Sequence, residues 1–329
     1  MAARIEVAPA APAPDLIDLR RLSSSHLAPL LDEEIREWKT ALDWDFGKSA
    51  DLVRRFVDLR ALSGCALVVA GETVGYSYFV VEEHKGLIGD LYVRPAWRTV
   101  ENENRLLTSV LEGVVTGSQV RRVESQLMML LPCVPRTPPG AEFLTPHERN
   151  FMLVDFDVVP LPPNRPARSR IHTEKWTDHH QESAAQLIAA AYAGHIDSHI
   201  NDQYRSVPGA RRFLYNIVQY PGCGSFFRNA SYVAFELDHG SLCGLALASI
   251  VGPESGHITQ ICVSPQVRGT GIGYELLRHS LVTLKEHGCR RVSLTVTAAN
   301  RDAVDLYQRI GFRTLRRFSA YVWEGFARD

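Results

Sequence analysis

Cysteine is scarce in this chain and scattered. The six residues Cys65, Cys133, Cys223, Cys243, Cys262 and Cys289 form no C-x-x-C pair and no zinc-ligand spacing, which excludes a disulfide scaffold and a structural zinc module. They read as reduced, mostly buried thiols. No stretch approaches 18 consecutive apolar residues, and a helix spanning a bilayer needs about that many. The N-terminus, MAARIEVAPAAPAPDL, has one arginine and alternating Ala and Pro, without the apolar centre of a secretory signal. Its composition is that of a disordered leader over residues 1–14. An excess of one charge is also lacking: 36 basic residues against 37 acidic leave a net charge of −1, with no broad footprint for nucleic acid or an anionic membrane. The expectation is a cytoplasmic protein with neither a nucleic-acid nor a membrane partner, working as a monomer or homodimer.

What is present is ordinary globular material, 45% hydrophobic and 22% charged. At 329 residues the chain is about twice the length of a typical domain. The Pro- and Arg-rich segment PLPPNRPARSR, residues 160–170, has the composition of an exposed linker. The halves on either side match: Ile88 to Arg98 (IGDLYVRPAWR) lies on Ile258 to Arg268 (ITQICVSPQVR) at an offset of 170. Val93/Val263, Pro95/Pro265 and Arg98/Arg268 coincide, the register continues through Leu106/Leu276 and Leu111/Leu281, and at an offset of 169 Gly75 meets Gly244 and Arg122-Val123 meets Arg291-Val292. A run of matches in one order indicates a duplicated domain. Paired apolar runs around turn residues (ALVVA and GYSYFVVEE, then SYVAFELD and LCGLALASIV), each followed by strand, helix and strand, predict mixed α/β halves with central sheets. The expected organisation is 15–159, a linker at 160–169, and 170–329.

The sharpest motif is Gln266-Val267-Arg268-Gly269-Thr270-Gly271-Ile272-Gly273, between the apolar strand Ile258–Val263 and an amphipathic helix Ile272–Glu286. A helix start leaves backbone N–H groups unpaired and carries partial positive charge, so a glycine-rich entry lets a pyrophosphate approach. Arg268 adds a cation. The run lacks the lysine of a Walker loop and reads G-x-G-x-G, not the dinucleotide-binding G-x-G-x-x-G. A second motif starts at Asn300, suited to cap a helix, and runs through Ala303, Leu306 and Tyr307 to Gly311-Phe312, with Gly311 suited to end it.

Together these two motifs resemble the GNAT acetyltransferase superfamily, whose Q/R-x-x-G-x-G/A is met at Gln266, Gly269 and Gly271, and whose N-x-x-A-x-x-L-Y-x-x-x-G-F is met from Asn300 to Phe312. The fold so implied is two GNAT-like domains in tandem, each a mostly antiparallel sheet flanked by helices. Such a tandem arrangement is similar to that of mycothiol synthase in architecture only. Residue by residue, the resemblance implies that Ile261, Cys262 and Val263 pair with the pantetheine amides of acetyl-CoA, or another acyl-CoA. Arg268, Gly269, Thr270, Gly271, Ile272, Gly273 and Tyr274 would bind the pyrophosphate, Asn300 and Ala303 would hold the pantetheine arm, and Tyr307 would face the sulfur as general acid. Many relatives place a glutamate as base where this chain has Thr259 and Thr295, so His257 and Glu254, near the start of the same strand, become candidates beside a water relay.

The first half carries Thr99, Glu101 and Glu103 where the second has Gly269, Gly271 and Gly273, and carboxylates there repel a pyrophosphate. Matching Asp155-Phe156 to Gly311-Phe312 puts Phe151 opposite Tyr307 before an expected last helix, with PCVPRTPPGAEFLTPH as an extra loop. That half therefore reads as a copy without a cofactor site. The acceptor pocket is expected from residues 191–227, with Tyr192, His195, His199 and Tyr204; His195-x-Asp197-x-His199 alternates as a strand would, in a helix-end context, so no metal site is assigned. The function expected is acetyl-CoA-dependent N-acetylation of a primary amine, on a small molecule or peptide. The alternative is a non-catalytic acyl-CoA-binding regulatory protein.

Overall fold

The computed structural model describes residues 13–117, 119–131, 136–220 and 222–326. Most of the expected leader, and Cys133, lie outside them. The first half runs β1 (Asp15–Asp18), α1 (Ser24–Leu42), α2 (Gly47–Asp58), β2 (Ser63–Val69), β3 (Glu72–Glu82), β4 (Lys85–Val93), α3 (Val100–Gly117), β5 (Arg122–Gln126) and β6 (Leu144–Asp155). The second runs β7 (Ile171–Lys175), α4 (Gln181–Ala191), α5 (Asp197–Ile200), α6 (Val207–Gln219), β8 (Ser225–Phe226), β9 (Tyr232–Glu236), β10 (Leu242–Gly252), β11 (Ser255–Val263), α7 (Ile272–Glu286), β12 (Arg291–Thr297), α8 (Arg301–Ile310) and β13 (Arg313–Glu324).

The caps predicted for α8 are the ones used, and at α7 the glycine-rich run itself supplies the cap. Gly271 opens α7 at φ +98°, a conformation that costs a residue with a Cβ, and α7 buries Leu276, Leu277, Leu281 and Leu284 on its sheet-facing side. The Asn300 side chain accepts from the Ala303 N–H at 3.3 Å at the start of α8, and Gly311 at φ +108° ends it.

All but one of the strands lie in a single path, β1-β2-β3-β4-β5-β13-β6-β12-β11-β10-β9-β7, with β8 on β10. Two neighbours are parallel, and both splay early: β4 and β5 pair only from Lys85↔Arg122 to Ile88↔Ser125, and β11 and β12 only from Ser255↔Arg291 to Ile258↔Leu294. Each half thus opens a V-shaped cleft, between β4 and β5 in the first and between β11 and β12 in the second. Bulges at equivalent places, Gly89 in β4 and Thr259 in β11, mark the apex.

The closing strands are exchanged. The last strand of the chain, β13, pairs with β5 of the first half from Ala320↔Gln126 to Glu324↔Arg122. Reciprocally, β6 pairs with β12 from Arg291↔Asp155 to Thr297↔Arg149, and β6 and β13 pair with each other along their length. Residues 144–155 and 313–324 are equivalent at the repeat offset of 169. This corrects one expectation. Residues 148–155 are strand, not the end of a helix, and Phe151 sits opposite Thr295 in the sheet, not in the place of Tyr307. The offset of 169 instead puts Pro138 opposite Tyr307, and residues 136–140 form no helix before the short 3-10 turn Ala141–Phe143. Proline at 138 and 139 removes the N–H groups an α8 equivalent would need.

Because β12 is covered by a strand from the other half, residues 160–329 expressed alone should leave a long apolar edge unpaired. The expected outcome is an aggregated or poorly folded product that becomes soluble when residues 1–159 are co-expressed. Size-exclusion chromatography of both preparations checks this; a monodisperse, cooperatively melting 160–329 fragment would contradict the exchange as a folding requirement.

Candidate functional site

One cavity of about 1200 Å³ opens over the second half's V and extends across to the first half. Its walls bring together most of the residues singled out in the sequence. Ile261, Cys262 and Val263 come from the end of β11, Arg268 to Tyr274 from the glycine-rich turn, and Asn300, Ala303 and Tyr307 from α8. Tyr192, His195 and Tyr204 line it from the helical segment of the second half. Gln266, Glu254 and His199 do not line it. Gln266 is exposed and its Oε1 accepts from the Ser264 hydroxyl. Glu254 sits in the turn between β10 and β11, at the far end of the strand from the glycine motif, 3.9 Å from Arg290. His199 is exposed on α5.

The glycine-rich turn is held from behind. The Arg268 guanidinium donates to the carbonyl of Ala191 at 2.5 Å and to that of Val263 at 3.4 Å, tying the turn to α4 and β11. The 160–170 segment is largely exposed, as its composition predicts, yet it is fastened along α7. Tyr274 Oη donates to Pro163 O at 2.7 Å, Arg278 Nε to Pro162 O at 3.0 Å, Ala167 N to Glu275 Oε2 at 2.7 Å, and Arg168 N to Thr270 O at 2.8 Å. This places Arg165 and Arg168 on the cavity wall beside the α7 N-terminus, two cations that the linker reading passed over.

At the other end of the V, Tyr307 is buried, and burial, reinforced by the charge of Asp197, raises its phenol above the ordinary value. Asp197 in turn accepts from the Thr297 hydroxyl and lies 3.6 Å from Arg149 of β6. Its backbone N–H donates to His195 Nδ1 at 3.1 Å, and His195 Nε2 is 3.3 Å from the Asn300 side-chain amide nitrogen. Tyr192 and Tyr204 stack at 4.4 Å and clamp Gln260, whose Nε2 donates to Tyr192 Oη at 3.1 Å and whose Oε1 accepts from Tyr204 Oη at 3.4 Å. His257 touches the cavity but is 6% exposed, packed edge-on to Trp44 and stacked with Phe151 of β6, with Nδ1 2.9 Å from Ser293 Oγ. Burial pushes its imidazole down to about 3. Such a ring is a weak acceptor for the proton of an ammonium group.

The first half's own cleft is closed at the equivalent place. Glu103, the counterpart of Gly273, is buried, accepts from the Leu131 N–H at 3.0 Å and pairs with Arg136 at 2.5 Å. Arg98, the counterpart of Arg268, is taken by Glu37 of α1 at 2.5 and 2.6 Å, and Arg94 by Glu72 at 2.5 Å. What that half gives the shared cavity is a different set: Trp38, Trp44, Phe46, Tyr78 and Asp90. Asp90 was visible in the sequence as the counterpart of Gln260 inside the quoted repeat; the aromatic residues of α1 and the turn after it carried no motif.

The profile of the acetyltransferase (GNAT) family matches residues 172–312, spanning β7 to the end of α8. This segment belongs to the GNAT family. Among curated proteins, the chain is 31% identical over 70 residues to a mycothiol acetyltransferase of Corynebacterium jeikeium, a match covering 21% of this chain and 20% of that protein. It is 34% identical over 70 residues to an N-alpha-acetyltransferase of Arabidopsis thaliana, covering 21% of this chain and 37% of that one. Against a putative ribosomal protein bS18 alanine N-acetyltransferase of Bacillus subtilis it is 36% identical over 84 residues, 26% of this chain and 54% of the relative. The matches thus span about half or less of these relatives. Over its whole length the chain shares the fold of a GCN5-related N-acetyltransferase from Sphaerobacter thermophilus (TM-score 0.66, 18% identity, covering 96% of this chain and 97% of that one). It also shares the fold of a tandem GNAT protein from the clavulanic acid biosynthesis pathway (TM-score 0.58, 18% identity, covering 96% and 100%). The fold of the entire chain is therefore that of these two structures, although the family profile covers residues 172–312 alone.

His257 gives this GNAT core a pH dependence. Its folded-state value of about 3 lies below the ordinary 6.5, so between these limits the unfolded chain binds the extra proton. Its contribution is fully present above about pH 6.5 and is lost as pH falls toward 3. Between pH 7 and pH 4.5 that loss amounts to roughly 2–3 kcal/mol. Denaturant unfolding at both pH values is expected to show a smaller acid loss in His257→Gln than in the wild type; equal losses would mean that the ring protonates freely when folded.

Proposed function

We propose that the protein is an acyl-CoA-dependent N-acetyltransferase acting on a primary amine. The observation that carries this reading is the meeting, in one cavity, of the end of β11, the glycine-rich entrance of α7 and the buried Tyr307. An acyl-CoA laid along that line has its pyrophosphate at the N–H groups of Gly269 to Gly273, with Arg165, Arg168 and Arg268 as nearby cations. Its pantetheine amides run beside the edge of β11 that the splay leaves open, and its thioester reaches Asn300, Ala303 and Tyr307.

In the transfer, the amine nitrogen bonds to the acyl carbon, the carbon–sulfur bond breaks, and the departing thiolate takes a proton. Tyr307 is proposed as the donor. Its raised phenol stays protonated at neutral pH, so it has the proton to give. For the proton the amine must lose, the cavity geometry favours neither earlier candidate: Glu254 is remote and His257 is too weak a base. Asp197 is the carboxylate on the cavity wall whose charge reaches Tyr307, and a water between it and the amine is the reading we adopt. A purely acyl-CoA-binding regulatory role does not call for a phenol and a carboxylate at the thioester end.

Two substitutions test the reading. Gly271→Glu puts an acidic side chain on a residue at φ +98° at the helix entrance; acetyl-CoA affinity measured by calorimetry is expected to fall by about 100-fold or more, since strain and charge repulsion add. Unchanged affinity would remove the pyrophosphate from this turn. Tyr307→Phe keeps the ring and its packing but not the proton. With an amine for which chemistry limits turnover, thiol release should drop by about 10²–10⁴-fold at nearly constant acetyl-CoA affinity. Wild-type turnover in a folded Tyr307→Phe protein would make Tyr307 a packing residue. Acetyl-CoA binding without thiol release, across an amine panel, would favour the regulatory alternative.

A further inference from the structure

The first half's contribution to the cavity differs in chemistry from the second's at a position where their geometry is the same. Asp90 follows the β4 bulge at Gly89 just as Gln260 follows the β11 bulge at Thr259. Gln260 is neutral, and Tyr192 and Tyr204 satisfy its amide. Asp90 is 5% exposed; its Oδ1 accepts from the Leu91 N–H at 2.7 Å, and its carboxyl is hydrogen-bonded by the protonated carboxyl of Glu34 and by Tyr76, with no cation among its partners. Behind it is a second carboxyl, Glu34 of α1, fully buried and accepting from Trp38 Nε1 at 3.2 Å and Tyr76 Oη at 2.9 Å. Among the described residues neither carboxyl makes an ion pair, and the charged group each feels most is the other. Burial and mutual contact hold Glu34 well above the ordinary carboxyl range, and burial pushes Asp90 up to about 6.

Glu34 keeps the proton the pair shares, so one negative charge stays at Asp90, and a buried charge with no cation beside it is expensive inside a protein. Here the two carboxyls lie behind an aromatic lining. Trp38 stacks on Phe46 at 4.8 Å and lies 6.0 Å from Trp44, and the three rings reach the cavity together with Tyr78 and Asp90. The bulge glycine is needed for this: a Cβ on Gly89 would meet the Tyr78 ring at 2.2 Å. Aromatic side chains lining a cavity together with a carboxylate form a setting that attracts an organic cation.

We infer that Asp90, with Trp38, Trp44, Phe46 and Tyr78, is a binding site for a cationic end of the acceptor, so that the acceptor is an elongated molecule with a second positive group besides its reacting amine. This rests on the acyl-transfer reading for the word acceptor, but the cation site stands on its own geometry. The group held at Asp90 is not the one acetylated, because a carboxylate stabilises the ammonium form and the attacking nitrogen has to be neutral. The reacting amine belongs at the Tyr307 end of the same cavity, which makes a diamine the simplest ligand with both features.

The test is calorimetric titration of the full chain, without acyl-CoA, with a series of linear α,ω-diamines and with monoamines of the same lengths. At least one diamine is expected to bind about tenfold or more tighter than its monoamine, a difference of about 1.4 kcal/mol. Asp90→Asn should abolish that preference, and Glu34→Gln should weaken it, while both keep wild-type affinity for acetyl-CoA as evidence of an intact fold. Thermal melting of Asp90→Asn should not fall, since the change removes a buried charge. Equal binding of diamines and monoamines, or an unaltered preference in folded Asp90→Asn, overturns the site. A preserved diamine preference with no acetyl-CoA binding or thiol release would instead overturn the acyl-transfer reading and leave the cation site standing.

Discussion

The arrangement depends on two parallel strand pairs that stop pairing after four residues. β4 and β5, and β11 and β12, begin in register and then diverge, which frees main-chain groups of β11 toward a cleft and leaves β5 and β12 in need of partners on their other sides. The chain meets that need by crossing over, with β13 on β5 and β6 on β12. Twelve strands become one path because neither half completes its own sheet. An antiparallel β6–β13 seam then sets the distance between the clefts, so that one cavity reaches from the glycine turn of the second half to the aromatic residues of the first.

Much of this was legible in the sequence, because it is written locally. The start of α7 and both ends of α8 follow from Gly271, Asn300 and Gly311: the two glycines adopt the positive φ that the absence of a Cβ allows, and the Asn300 side chain makes the capping bond. The duplication was readable as an offset, and that same offset of 169 relates β6 to β13. The strand exchange was not readable, because pairing partners are chosen by packing across the whole chain and β6 looks the same whichever neighbour it takes. The error over Phe151 has a similar origin: a two-residue Asp-Phe echo of Gly-Phe outweighed the prolines at 138 and 139, which exclude the helix that the echo required.

Burial accounts for the site residues whose roles shifted. His257 and Glu254 are nearby in sequence but are separated by the strand's direction into the core and onto a turn, and the protein interior that surrounds His257 takes away the basicity that made histidine attractive. Asp197, the first residue of α5, lies close enough to Tyr307 for its charge to be felt there, and its neighbours, Thr297 and Arg149, come from β12 and from the exchanged strand β6. Arg149 thus enters the second half's site only because the first half's closing strand is lodged there.

The exchange also explains why a half whose cleft is closed by Glu103 and Arg136 is kept. Losing β6 would strip β12, so the first half is structurally required whatever its cleft does. Its α3 entrance holds Glu103 and its partner Arg136, and the residue after its bulge is Asp90 where the second half has Gln260. Along the seam, by contrast, a change on β6 alters the pairing with β12 and with β13 at once. The two halves are therefore coupled in stability and separable in chemistry. One supplies the glycine turn and the phenol; the other supplies the opposite wall, with Asp90 and a set of aromatic side chains.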